Sequence, residues 1–170
     1  MLLRRASQLI VFLALASCAK PAEVASASTP TGPFTSSRSH YVALRLVPGQ
    51  DLKQALLDVV KAEGLEAAAV VSCVGSLSSV TLRFADQKEP TALVGPFEIV
   101  SLGGTLGPDG AHLHLSVSDA HGQTFGGHLV DGSSVYTTAE IVLIELDDLR
   151  FRRLEDPVTT WKELAIEPRP

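Results

Sequence analysis

The segment GAHLHLSVSDAHGQTFGGHLVDG, Gly110–Gly132, decides how this chain is read, because it holds four of the chain's five histidines. From His112 to Ser118 it alternates strictly. His112, His114, Ser116 and Ser118 share one parity, and Leu113, Leu115 and Val117 share the other. Successive side chains of a strand point to opposite faces, so this pattern predicts a strand with one apolar face and one imidazole and hydroxyl face. DAHGQ, Asp119–Gln123, is the turn. A three-residue loop, Ala120–Gly122, with Gly122 left-handed makes a hairpin with a bulge. Asp119 then pairs with Gln123, which sets His128 directly opposite His114 and makes His112 its diagonal neighbour. Directly opposed Cβ atoms lie about 4.5–5.5 Å apart and diagonal ones about 7–8 Å. A two-residue turn would shift the parity and send His128 to the other face, so the reading stands on the loop.

Three neutral nitrogen donors around one point, with a position left for water or substrate, suit a zinc ion. His112, His114 and His128 are therefore the candidate metal ligands, and zinc is the expected cofactor. Gly126 and Gly127, beside His128, let another backbone or a ligand approach closely. His121, at the loop tip, reads as solvated. The alternative is that the three histidines only hydrogen-bond to neighbouring hydroxyls. Glu140, in YTTAEIV, is the candidate acid to support a ligand or act as a general base; otherwise it is a partly exposed strand charge.

Outward from the hairpin, QDLKQALLDVVKAEG, Gln50–Gly64, places Leu52, Ala55, Leu56, Val59 and Val60 at helical spacing. Asp51 suits the cap and Gly64 the stop. HYVALRLVPG reads as a strand and turn, AAAVVSCV as a buried strand, SSVTLRFA as a further strand and DQKEPTALVG as a polar loop. PFEIVSLGGTLG leads into the histidine segment, SSVYTTAEIVLIEL is a long strand and LRFRRLED a short one. PVTTWKELAIEPRP is expected to be an irregular tail. One helix among about eight strands predicts an α+β fold on a mainly antiparallel sheet or barrel.

The N-terminal segment MLLRRASQLIVFLALASC joins two arginines to an apolar run too short to span a bilayer, and ends in Leu15-Ala16-Ser17-Cys18. This is similar to a lipoprotein signal, with Cys18 the lipidation site. The expected organisation is a signal peptide over 1–17, a flexible Pro-, Ala- and Ser-rich tether over 18–38, the domain over 39–156 and a C-terminal tail over 157–170. The expected location is the bacterial cell envelope, facing the periplasm and held to a membrane through lipid on Cys18. Ala19 stands where enteric bacteria place the Asp that retains lipoproteins in the inner membrane, so the outer membrane is the expected one. Cys73, in an apolar run, reads as a buried small hydrophobe. The formal net charge of −5 gives no electrostatic reason to expect a nucleic-acid partner.

The stretch GPFEIVSLGGTLGPDGAHLHLSVSDAHGQTFGGHLVDGSSVYTTAEIVL resembles the plant-and-prokaryote-conserved (PPC) domain through its G-x-F-E-I-x-S-L, D-G-x-H-x-H, G-G-H-L and T-T-A-E motifs. The resemblance implies one main helix on an antiparallel sheet and assembly into a homotrimer. Pro96 stands where plant members carry Arg, and no AT-hook is present. Prokaryotic members with the three histidines are similar in fold to acetolactate decarboxylase, which holds zinc through histidines; this implies the same ligand role for His112, His114 and His128. The expected function is a lipid-anchored homotrimeric binding or scaffold module whose histidine site takes metal or a small-molecule ligand. The alternative is a zinc-dependent lyase or hydrolase. No nucleophile–base pair is visible, and a DNA-binding role is the least favoured.

Overall fold

The computed structural model describes residues 35–170. Cys18, the signal segment and most of the tether lie outside the described residues. The chain runs β1 (Ser39–Leu46), α1 (Leu52–Glu63), β2 (Ala68–Arg83), β3 (Thr91–Gly107), β4 (Gly110–Ser118), β5 (Thr124–Leu129), β6 (Val135–Leu146), β7 (Leu149–Glu155) and β8 (Lys162–Pro168). The architecture is α+β, with one helix on a mainly antiparallel sheet. Six strands pair in the order β1-β6-β2-β3-β4-β5, and a further β2–β5 pairing closes β2 to β5 into a small barrel. β7 and β8 form a separate hairpin.

Helix α1 starts where its sequence says it must. The Asp51 carboxylate accepts from the backbone N–H groups of Lys53 and Gln54 at 3.1 and 2.9 Å, satisfying two donors that no helical carbonyl can reach. Its other oxygen accepts from Gly132 and Ser133 at 2.7 and 2.8 Å. One carboxylate thus caps the helix and ties it to the β5–β6 connection. The helix stops at Gly64, which is left-handed at φ 64°. Its buried stripe is Leu52, Ala55, Leu56 and Val60. These meet Leu77, Val80 and Leu82 of β2, Leu106 of β3, Leu113, Leu115 and Val117 of β4, and Leu129 of β5 in one core.

Three expectations change. AAAVVSCV and SSVTLRFA are one strand, β2, of 16 residues. Within it Ala68 and Cys73 are buried, but Val71 and Val74 are 54% and 55% exposed. The apolar run is therefore only partly buried, and a register shift between Val70 and Ser72 breaks its alternation and leaves Val71 and Val74 outward. The segment expected to be a loop before Gly95 is strand from Thr91 onward. The C-terminal segment expected to be irregular contains β8, paired with β7 from Leu149↔Pro168 to Glu155↔Lys162. The turn between them is held by the Asp156 carboxylate, which accepts from the N–H groups of Val158 and Thr159 at 2.8 and 2.9 Å.

One buried charge organises the α1–β2 connection. The fully buried Glu145 accepts from the backbone N–H of Glu66 at 2.8 Å and of Ala67 at 3.1 Å. Arg169 approaches the same carboxylate at 3.4 Å, and Arg150 holds Glu66 through two hydrogen bonds of 2.6 and 2.9 Å. In the sequence Glu145 is merely a charge in a strand.

Candidate metal centre

The hairpin forms as its turn residues require. The Asp119 N–H donates to Gln123 O at 2.9 Å, the Gly122 N–H donates to Asp119 O at 3.0 Å, and Gly122 has φ 78°. The Asp119 carboxylate braces the loop by accepting from the N–H groups of His121 and Gln123. This three-residue loop fixes the register, and His114 pairs with His128. Leu113, Leu115, Val117 and Leu129 turn into the core, so the histidines of the opposite parity turn outward.

The three rings converge. Their centroids are separated by 4.9 Å (His112–His128), 5.1 Å (His112–His114) and 5.7 Å (His114–His128). One nitrogen from each ring lies within 4.8 Å of the other two. The Nε2 atoms of His112 and His114 are 3.3 Å apart. Two donors at about 2.0–2.1 Å from a tetrahedral zinc also lie about 3.3 Å apart, so this pair already has the spacing of one edge of a coordination tetrahedron. His121, exposed at the loop tip, is not in the group, and His40 pairs instead with Asp147 through Nδ1.

The electrostatics favour the neutral form of His112 and His128. Burial above all, then the neighbouring His114 and the Arg153 and Arg83 charges, holds His112 below the ordinary imidazole range, with Glu163 pulling weakly the other way. His128 is driven down to about 4 by burial first, then by His112, Arg83, His114 and Lys53. An unprotonated imidazole is the form that binds a metal.

The group is open on two sides. A hollow of about 440 Å³ is lined by Gly103, Gly104, Thr105, His112 and His114. A larger one, about 720 Å³, reaches from His112 and His128 to the start of α1 and to the β7–β8 hairpin. Beside His128, the carbonyl oxygen of Arg83 sits 2.9 Å from where a Cβ on Gly127 would be, the close backbone approach read from the two glycines. Glu140 is not in the group. It is exposed on β6, in register with Arg45 and Val74, and strands β2 and β3 separate β6 from β4. The carboxylate whose field reaches His112 is Glu163 of β8. It lies with Trp161 and Lys162 in the segment expected to be irregular, where the alternation of KELAIEP is the only local sequence signal for it. Cys73 is buried, and burial pushes its thiol up to about 11, which fits an inert core position.

A partly closed antiparallel barrel that carries an open three-imidazole group on its outer face defines a class: a compact α+β module with a candidate transition-metal centre. The chain belongs to the Plants and Prokaryotes Conserved (PCC) domain family, which matches residues 34–147. Two Synechococcus proteins named bifunctional protein GlmU are 54% and 55% identical over 125 and 124 residues, 74% and 73% of this chain. The chain spans about a fifth of the length of these curated relatives, 20% in each case. Among solved structures, a hypothetical protein of Salmonella enterica is 43% identical with a TM-score of 0.79, covering 80% of this chain and 99% of its own. A metal-containing protein of Archaeoglobus fulgidus is 25% identical with a TM-score of 0.65, covering 78% and 96%. A PPC protein of Pyrococcus horikoshii is 29% identical with a TM-score of 0.60, covering 81% and 99%.

The comparisons correct the expectation about nucleic acid. Proteins of the same fold from Ralstonia eutropha JMP134 (23% identical, TM-score 0.62) and Bacteroides thetaiotaomicron (19%, 0.61) are described as candidate DNA-binding proteins. A negative total charge does not exclude such a partner. It is a sum over the chain, whereas a polyanion meets one surface, and Lys53, Arg83, Arg153 and Lys162 all line the larger hollow here.

Proposed function

We propose that the chain is a metal-binding, self-associating module of the bacterial cell envelope, with zinc held by His112, His114 and His128. One observation carries this reading: three imidazole nitrogens gather within 4.8 Å on paired strands whose register the core fixes. The metal content of the Archaeoglobus relative agrees with it. Self-association as a homotrimer is proposed from the family resemblance and from apolar side chains left outward on the sheet, among them Tyr41, Val71, Val74 and Val100 at 54–65% exposure. Attachment to the outer membrane is proposed from the Leu15–Cys18 motif, with lipid on Cys18.

The test is elemental analysis of the purified chain after zinc loading and dialysis. About one zinc per chain is expected, falling below a tenth of that in His114→Ala, with light scattering giving three chains per particle. No retained metal, or equal retention in His114→Ala, overturns the metal assignment.

A second reading, a zinc-dependent lyase or hydrolase, is favoured by the openness of the group to a cavity. A bound zinc would supply a Lewis acid there. Glu140 is the base proposed for this reading and would have to be supplied by a neighbouring copy, since its strand is separated from β4 by β2 and β3 and from β5 by β2. Equal loss of turnover in His114→Ala and Glu140→Gln would favour this reading over a purely structural metal.

A further inference from the structure

We infer that the larger hollow beside the histidines is an oxyanion subsite, taking a small carboxylate- or phosphate-bearing molecule whose anionic end lies between Arg83 and Arg153. The inference deepens the metal reading, on which it rests for the ligand's other end. The cations themselves stand without the metal.

The charge inventory of the hollow is lopsided. Four cations line it, Lys53, Arg83, Arg153 and Lys162, against two acids, Asp109 and Glu163. Asp109 is already committed, accepting from Arg152 Nε at 2.8 Å and from the Arg153 N–H at 3.1 Å. Lys53 is likewise held, 3.0 Å from Asp131. Arg83, Arg153 and Lys162 then face Glu163, leaving an excess of positive charge in a partly desolvated concavity. A desolvated cation demands a counter-charge.

Arg83 is fixed relative to the histidines by strand pairing, and Arg153 by a side-chain hydrogen bond to the strand that pairs with theirs. Arg83 is the register partner of His128 across β2–β5, and directly opposed residues share a face with Cβ atoms about 4.5–5.5 Å apart. Arg153 reaches over from β7, and its Nη2 donates to Thr105 Oγ1 at 2.6 Å. Thr105 is in turn the register partner of His112. Among the described residues the Arg83 side chain makes no hydrogen bond or ion pair, and Nε and Nη1 of Arg153 make none. A guanidinium held by one edge, with its other N–H groups turned to a cavity, matches the two oxygens of a carboxylate or phosphate. An anion seated there lies beside the open side of the three-histidine group, so one molecule can meet the arginines and a bound metal together.

The hollow carries its own reporter. Trp161 is the chain's single tryptophan, lines this hollow and is 69% exposed. The experiment titrates malonate and, separately, inorganic phosphate into the full chain at neutral pH and constant ionic strength, following tryptophan emission with zinc loaded and after chelator treatment. Zinc content is measured on the same samples. Saturation is expected with at least one anion, and the preferred anion identifies the source of the oxygens. Arg83→Gln and Arg153→Gln are each expected to raise the midpoint at least tenfold while zinc content is unchanged. Arg-dependent saturation supports the subsite whether or not zinc is bound, so a chain that binds anion but no zinc fails the metal assignment alone. No saturation, or saturation indifferent to both arginines, overturns the subsite. So does a short DNA duplex that saturates the signal at a far lower phosphate concentration than inorganic phosphate, because the hollow would then belong to a polyanion surface.

Discussion

Two adjacent glycines of β3 provide a matched test of how the candidate centre is built. Gly103 pairs with His114, and Gly104 pairs with Leu113. A Cβ added at Gly103 meets nothing within 4 Å. A Cβ added at Gly104 falls on the carbonyl oxygen of His112 and within 2.9 Å of its carbonyl carbon and of Leu113 Cα, on a backbone at φ 139°. The neighbours at Gly104 are strand backbone, so they yield only if β3 and β4 part. A side chain forced into such a φ costs about 1–3 kcal/mol, and each ladder hydrogen bond lost adds about 0.5–1.5 kcal/mol. Gly104→Ala is therefore expected to lose roughly 3–5 kcal/mol. For a domain of this size that is a fall in Tm on the order of 10–15 °C. The displaced strand carries His112 and His114. Metal–ligand distances tolerate only about 0.2 Å, so zinc affinity is expected to drop at least tenfold, comparable to the loss of a group that orients a ligand. Gly103→Ala is expected to be neutral or to stabilise by about 0.5 kcal/mol, since glycine is entropically unfavourable in a strand. Circular-dichroism melting with and without zinc, and chelator competition, measure both effects. If Gly104→Ala melts within 2 °C of the parent, or if the two substitutions behave alike, the close approach of β3 to His112 is not what holds the site.

Three further outcomes follow from particular groups. Glu145→Ala leaves the buried N–H groups of Glu66 and Ala67 without an acceptor, at about 1–3 kcal/mol each; urea denaturation is expected to show a loss of roughly 3–5 kcal/mol, and a change below 1 kcal/mol would show that the carboxylate is not the clamp. His128, and in the same direction His112, has a folded pKa below its unfolded value of about 6.5, so between about pH 4 and 6.5 the unfolded chain binds the extra protons. Metal-free stability should therefore rise with pH across that window, and His128→Asn should flatten the rise; a parent curve already flat from pH 4.5 to 6.5 contradicts the assignment. Cys18→Ser is expected to abolish labelling by a radioactive fatty acid and to release the protein from membranes, and undiminished labelling would refute the lipid anchor.

The centre was legible because its geometry depends on parity and one turn. Alternation placed Leu113, Leu115 and Val117 opposite the histidines, and Asp119 to Gln123 offered one loop that kept His128 on their face. The helix was legible from Asp51, Gly64 and a stripe of apolar residues. The cationic half of the hollow was not legible, for a physical reason. Arg83 and His128 are 45 residues apart and meet only because β2 runs unbroken for 16 residues and closes on β5. Nothing local in SSVTLRFA announces that pairing. In β8 the alternation is present but inverted: Leu164 and Ile166 are 37% and 41% exposed, while Glu163 and Glu167 lie half-buried. A rule that turns apolar side chains inward finds no strand there, because the half-buried face carries glutamates: Glu163 accepts from Thr159 Oγ1, and Glu167 lies 3.9 Å from Arg152.

The same closure explains why an exposed centre keeps its geometry. His128 answers to two registers at once, His114 across β4–β5 and Arg83 across β2–β5. A slip of β5 by one residue would turn His128 inward and expose Leu129, now 1% accessible. Exposing one such leucine costs about 1.5–3 kcal/mol, and placing an imidazole in its apolar seat adds the cost of an unpaired polar group. The hydrophobic core beneath the site therefore selects the register that gathers the rings, and no metal is needed to assemble them. A metal held by these rings would therefore act on a preformed geometry. Zinc should raise Tm by mass action alone, leaving the secondary structure of the metal-free chain intact.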